Sequence, residues 1–256
     1  MATEGAEPNT PVRTTRRTFR VIEALKALDG ATITEVAEHL DMPKSSVHNY
    51  LRTLEHDGFV VERDGRYTVG LRFLDLGSFA RINRELYRVG KPEVDDLAAD
   101  TGEIANLLVE EHGRGTIIYR QEGPDAVNVD SYLGQNTHLH TTALGKAVLA
   151  HLPRERVETI VDRHGLPART ENTITDRTEL FGELDAIRET GHAVDEEERI
   201  RGLVCVALPI LGDDGVKGAI SVSGPACRLE DARRRAEIVE RLRNAVNVIE
   251  LNRTYA

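Results

Sequence analysis

Lys44, Ser45, Ser46, His48, Asn49 and Arg52 crowd one stretch, PKSSVHNYLRTLEHDGFV, and no acid lies among them. Between them Val47, Tyr50, Leu51 and Leu54 recur at helical spacing. A helix here would bury one face and offer hydroxyls, an amide, an imidazole and cations on the other. Such a face suits phosphate oxygens and base edges, although ordinary solvated surface has the same composition. A second group lies far along the chain. In VKGAISVSG the two-residue period of a strand puts Ser221 and Ser223 on one face and Ile220 and Val222 on the other. In LVCVA, Leu203, Cys205 and Ala207 share a face. Small hydroxyls beside small apolar groups suit a pocket floor, and they equally suit a helix packed closely on a sheet. Upstream, HLHTTALGKA offers Thr142 as a helix cap, with the N–H groups of Ala143 and Leu144 in the first turn as a natural carboxylate site.

Other chemistries are weaker. His138 and His140 share a face in an extended segment and, with Cys205 or Asp195, have the types of a metal site, but H-x-H spacing also fits loop or packing histidines. ALGK is no phosphate-binding loop, because His140 stands five residues before Gly145 and Ala147 replaces the required hydroxyl. Cys205 lies mid-strand in an apolar run and reads as inert, Cys227 as a small surface or packing residue, and Glu196 and Glu197 as solvated. No catalytic set, resident metal or cofactor is expected.

These groups need elements to carry them. The 256 residues allow roughly one to two domains, hold no apolar run long enough for a bilayer, and start with the polar MATEGAEPNT, which is not a signal peptide. Two cysteines make no disulfide framework and point to the cytoplasm. The formal charge of −10 advertises no nucleic acid. Five lysines stand against 28 arginines and 43 acids, a skew like that of salt-loving archaeal proteins.

Residues 1–12 read as a disordered lead-in. A helix is predicted over Arg16–Leu28 with Phe19, Ile22, Leu25 and Leu28 inward. A second begins at Thr34 as N-cap and runs to Leu40, and the PKSS helix follows until Gly58. FVVERDGRYTV then reads as two strands joined by Asp64-Gly65. Helix, helix, turn, helix, hairpin over residues 13–70 is the order of a winged helix-turn-helix. In that motif the third helix enters the major groove and the wing meets the backbone. Ser45, Ser46, His48, Asn49 and Arg52 would face bases, while Lys44, Arg63 and Arg66 would hold phosphates. Arg13, Arg16, Arg17 and Arg20 add a basic patch. Residues 1–70 carry nine basic and eleven acidic side chains, a net of −2. In molar salt that deficit matters little, since counterion release contributes little there.

Residues 71–90 form a linker helix with Leu71, Leu74, Ile82 and Leu86 on one stripe and Phe73, Leu76 and Phe79 elsewhere, as a helix also packed on a partner would need. Lys91-Pro92 is expected to break it. Beyond it IANLLVE, GTIIYRQ, AVNVDSY, HAVDEE, LVCVALPIL and VKGAISVSG read as strands. Helices are predicted over Thr142–His151, Arg154–His164, Thr178–Thr190 and from Leu229 onward. This is an α+β domain with a largely antiparallel sheet.

The spaced motifs resemble the IclR-type transcriptional regulators across residues 13–256. PKSSVHNYLRTLEHDGFV is similar to that family's recognition-helix region and LHTTALGKAVLA to its effector-domain segment. The family spacing of Gly, Asp, Glu and Cys is matched by Gly191, Asp195, Glu198 and Cys205, and ISVSGPACRL matches the next block. Leu211 and Gly212 depart from the pattern and leave only that turn in doubt. The resemblance implies a winged helix, a linker helix and a GAF-like effector domain over 91–256. It implies a homodimer or tetramer on a palindromic double-stranded DNA operator. It also implies an effector pocket at Ala143, Leu144, Asp195, Leu203, Cys205, Ser221 and Ser223, the same faces that strand periodicity selects. Helix N–H groups and serine hydroxyls suit a small organic acid. The competing reading is a metal- or ligand-sensing module whose winged helix mediates protein contacts.

Overall fold

The computed structural model describes residues 12–254 except Asp130. The expected lead-in, Val12 apart, lies outside them. The chain divides after Ala80 into two compact units.

The first unit holds α1 (Arg13–Ala27), α2 (Ile33–Leu40), α3 (Lys44–His56) and the hairpin β1 (Val60–Arg63) and β2 (Arg66–Val69). Its core is Val21, Leu25, Val36, Val47, Leu51 and Leu54 with Tyr67 from the wing. Phe19, expected inward, is exposed: the buried stripe of α1 runs through Val21, Ala24 and Leu25, and Phe19 falls outside it. The second helix is capped by Thr32 rather than Thr34. Thr32 Oγ1 accepts from the Glu35 N–H at 3.3 Å, and the Glu35 carboxylate accepts from the Thr32 N–H at 2.7 Å, a reciprocal capping box. Asp64 and Gly65 adopt φ of 53° and 80°, the pair of left-handed residues that matches a two-residue turn to the twist of its strands. Val60 pairs with Val69 and Arg63 with Arg66.

The linker is two helices, α4 (Arg72–Ile82) and α5 (Glu85–Thr101). The break falls between them and not at Lys91-Pro92, because Pro92 is carried inside α5. An interior proline costs about 3 kcal/mol through its missing N–H and its clash with the preceding turn. Burial of Val94 and Leu97 against the sheet, each contributing roughly 1.5–3 kcal/mol, outweighs that, and the proline itself stays exposed.

The second unit continues with β3 (Ile104–Glu111), β4 (Arg114–Glu122), β5 (Asn136–His138), α6 (Ala143–Ala150), α7 (Arg154–His164), α8 (Arg177–Thr190), β6 (Ala193–Glu196), β7 (Leu203–Gly212), β8 (Gly215–Pro225), α9 (Ala226–Leu229) and α10 (Ala232–Thr254). Six antiparallel strands lie in the order β5-β4-β3-β8-β7-β6. One sheet face packs on α5 and α10 through Leu107, Val206, Ile220, Val222, Leu242 and Ile249. The other packs on α6, α7 and α8 through Leu108, Ala207, Ala219, Ala147, Ile160 and Leu184. AVNVDSY forms no strand among its described residues; the edge pairing belongs to Asn136–His138. No helix among the described residues is long and apolar enough to cross a membrane.

Candidate functional site

On α3, burial of Val47, Leu51 and Leu54 leaves Lys44, Ser45, His48, Asn49 and Arg52 exposed on the outer face, with Ser46 half-buried at its edge. Arg52 lies 3.7 Å from Glu55, a loose exposed pair that constrains it little. On the wing, Arg63 is exposed and, among the described residues, makes no ion pair. Arg66 is engaged otherwise: it donates to the Gly30 carbonyl at 2.7 Å and to Glu35 at 3.2 Å, fastening the wing to the start of α2. Hydrogen bonds to Thr32, with Arg66 nearby, hold the Glu35 carboxyl below its ordinary range.

The second constellation is built by strand register. One row crosses the sheet as Arg120, Asn106, Ser221 and Ala207, on β4, β3, β8 and β7. The adjacent row is Ile104, Ser223, Cys205 and Asp195, on β3, β8, β7 and β6. Above this floor lies the N-terminus of α6, where Thr142 Oγ1 accepts from the Gly145 N–H at 3.0 Å. Gly145 permits the approach, since a Cβ there would meet the Leu139 backbone at 2.1 Å. The first-turn N–H groups of a helix lack intrahelical acceptors, so those of Ala143 and Leu144 remain as donors.

Between floor and helix is a small cavity of about 30 Å³. Of the residues the sequence singles out, Leu144, Asp195, Leu203, Cys205 and Ser223 line it; Ala143 and Ser221 are buried beside it without lining it. Ser221 Oγ and Asn106 Oδ1, paired across the two strands, are buried without hydrogen-bond partners. Asn106 and Arg120 were missed by the sequence reading. Asn106 shows a signal, because an amide in mid-strand shares a face with Ile104 and Leu108. Arg120 shows none, for a bulge opposite Leu107 and Leu108 shifts the alternation of β4. Ile118 and Tyr119 both turn to the far face, and Ile117 and Arg120 both reach the cavity.

The electrostatics are set by burial. Asp195 is pushed up to about 7 by burial and by the neighbouring Glu198 carboxylate, against the Glu198 N–H that donates to it at 2.7 Å. Cys205 is pushed up to about 11 by burial and Asp195, so it is a thiol and no nucleophile; Ser223 Oγ donates to its sulfur at 3.0 Å. Behind them Lys146, 1 % exposed, bonds Glu198 at 2.6 Å and Glu183 at 2.9 Å. Burial works against its ammonium, and the two carboxylates outweigh it and raise its pKa. His138 and His140 stand ring to ring at 5.6 Å in a separate hollow with His164, apart from Cys205 and Asp195. Among the described residues no cluster of three or more His, Cys, Asp or Glu is placed to hold a metal.

Residues 14–64 match the family described as "IclR helix-turn-helix domain", and residues 80–251 match "Bacterial transcriptional regulator IclR C-terminal". The chain belongs to the IclR family. Among IclR relatives, a probable HTH-type transcriptional regulator ArcR from Halobacterium salinarum is 33% identical, with 98% of each chain covered. The IclR transcriptional regulator from Alicyclobacillus acidocaldarius superposes with a TM-score of 0.81 at 28% identity, over 94% of this chain and 98% of that one. An IclR homolog from Microbacterium hydrocarbonoxydans shares the fold, with a TM-score of 0.79 at 24% identity over 95% and 100%. The protein is therefore a transcriptional regulator with a helix-turn-helix DNA-binding domain and a C-terminal ligand-binding domain, and its relatives are named as regulators rather than enzymes.

Proposed function

We propose that the regulator is a cytoplasmic homo-oligomer that binds a palindromic operator through α3 and the wing and changes its grip on DNA when a small organic acid enters the cavity over β3, β8 and β7. The unpartnered Asn106 Oδ1 carries the pocket reading: a buried polar atom costs free energy unless bonded, and this one lines the cavity floor below the start of α6. Ser223, Cys205 and Leu203 complete an enclosure fit for a carboxylate or hydroxyl. Asp195, protonated below about pH 7, donates to an acid there and accepts from a hydroxyl once ionised. The Microbacterium hydrocarbonoxydans homolog is a complex with 4-hydroxybenzoate, so this fold accommodates an organic acid.

At the DNA end Ser45, Ser46, His48, Asn49 and Arg52 face bases, and Lys44 and Arg63 meet phosphates. Arg66 acts mainly by holding the wing in place. The experiment is a footprint at high potassium chloride on selected DNA, followed by titration of Arg52→Ala. We expect an inverted repeat to be protected and the variant to lose ~1–3 kcal/mol of specific binding. Equal operator affinity would remove Arg52 from the reading set; no protected sequence would overturn DNA recognition through α3.

A further inference from the structure

Outside the inner cavity lies a cleft of about 540 Å³, which adjoins it and shares Val129, Thr137, Arg199 and Leu203 with it. Its wall is basic in a chain that is acidic overall: Arg169, Arg199 and Arg201 all line it. Arg201 is paired with Glu171 at 2.9 Å, and Arg199 donates to Gln135 at 2.7 Å. Arg169 differs. Among the described residues its guanidinium has no hydrogen-bond or ion-pair partner, and the charged neighbours that feel it are Arg114, His138 and His140. Burial and these cations lower the pKa of both histidines, that of His138 to about 4, as expected beside uncompensated positive charge.

The position of Arg169 is fixed from the backbone side. Its N–H donates to Thr173 Oγ1 at 2.9 Å, and that hydroxyl donates to the Glu198 carbonyl at 2.5 Å. The Glu198 N–H in turn bonds Asp195 on the cavity wall. The outer cation is thus tied by a short chain of bonds to the carboxyl that lines the inner cavity. The inner cavity takes no more than the end of a molecule, and the rest of any effector must lie toward the cleft.

We infer that the effector carries two acidic groups, one held inside by the start of α6 and Ser223, the other held in the cleft by Arg169. This rests on the organic-acid reading above and adds the second charge and its receptor. A guanidinium with no carboxylate partner among the described residues can take one in a bidentate pair, and binding there offsets the like-charge repulsion around Arg114.

The test is calorimetric titration of the full chain with succinate, glutarate and adipate against butyrate, pentanoate and hexanoate, each diacid paired with the monoacid of its length. At least one diacid should bind roughly tenfold more tightly than its partner. Arg169→Ala should erase that advantage and leave monoacid binding unchanged, whereas Arg169→Lys should keep part of it. The Arg169 side chain is exposed and Thr173 bonds only its backbone, so the variants keep the fold. Equal binding within every pair, or a diacid advantage that survives Arg169→Ala, overturns the inference while the organic-acid reading stands. Binding of none of the six acids overturns both.

Discussion

Asp195 shows how one buried side chain sets the chemistry of a pocket. Its carboxyl has lost water and gained Glu198 as a neighbour, so it keeps its proton to about pH 7. In the unfolded chain it ionises near pH 4. Below pH ~4 both states hold the proton and the group is neutral toward stability. As pH rises toward 7 the unfolded state releases its proton first, so stability falls, and above 7 the loss is complete. Asp195→Asn keeps an oxygen for the Glu198 N–H and removes the titration. In the ligand-free protein this variant should melt higher than the wild type at pH 8, by up to a few kcal/mol, and nearly level with it at pH 4. Thermal melts across this range decide it; a difference constant with pH would mean that Asp195 does not titrate as the geometry requires. Ligand binding should follow the same logic, with acids weakening as pH climbs through 7.

Whole elements were legible in the sequence wherever a period ran undisturbed. Val47, Leu51 and Leu54 marked the buried side of α3, and Ser221 and Ser223 marked the floor of the sheet, because one residue type repeats on one face. The misses come from local devices that periodicity does not carry. The bulge in β4 hides Arg120, tertiary burial carries Pro92 through α5, and the edge strand formed at Asn136–His138 in place of the β-prone AVNVDSY. The start of α2 was misplaced for a different reason: two threonines stand close together, and only Thr32 has Glu35 three residues on to close the box. That box also anchors the wing, since Glu35 holds Arg66. Thr32→Ala should therefore cost about 1 kcal/mol and speed exchange of the α2 amides roughly fivefold. Exchange at wild-type rates would show that the cap contributes nothing to holding α2 closed.

At the scale of the molecule, the proposed binding of a two-half-site operator raises the question of how a single reader becomes specific. One α3 helix touches few base pairs, and single-site affinity at high salt is poor because phosphate contacts lose their counterion gain. Two linked readers multiply their affinities through effective concentration. α4 offers the surface for such linkage: Phe79 is 72 % exposed, Leu74, Leu76 and Ile82 are also exposed, no residue of α4 is buried, and Leu71 just before it is 83 % exposed. A helix with apolar groups around its surface and no buried side is expected to meet another chain. Changing Leu74 and Leu76 together to Ser should leave α3 and the ligand cavity intact, since neither residue packs in the core of either unit. The variant should run as a smaller species in light scattering and lose roughly 100-fold or more in affinity for a two-half-site operator. Its affinity for an isolated half-site should stay unchanged. An unaltered mass with intact operator binding would place the oligomer contact elsewhere, and an equal loss on both DNAs would show damage to the reader itself.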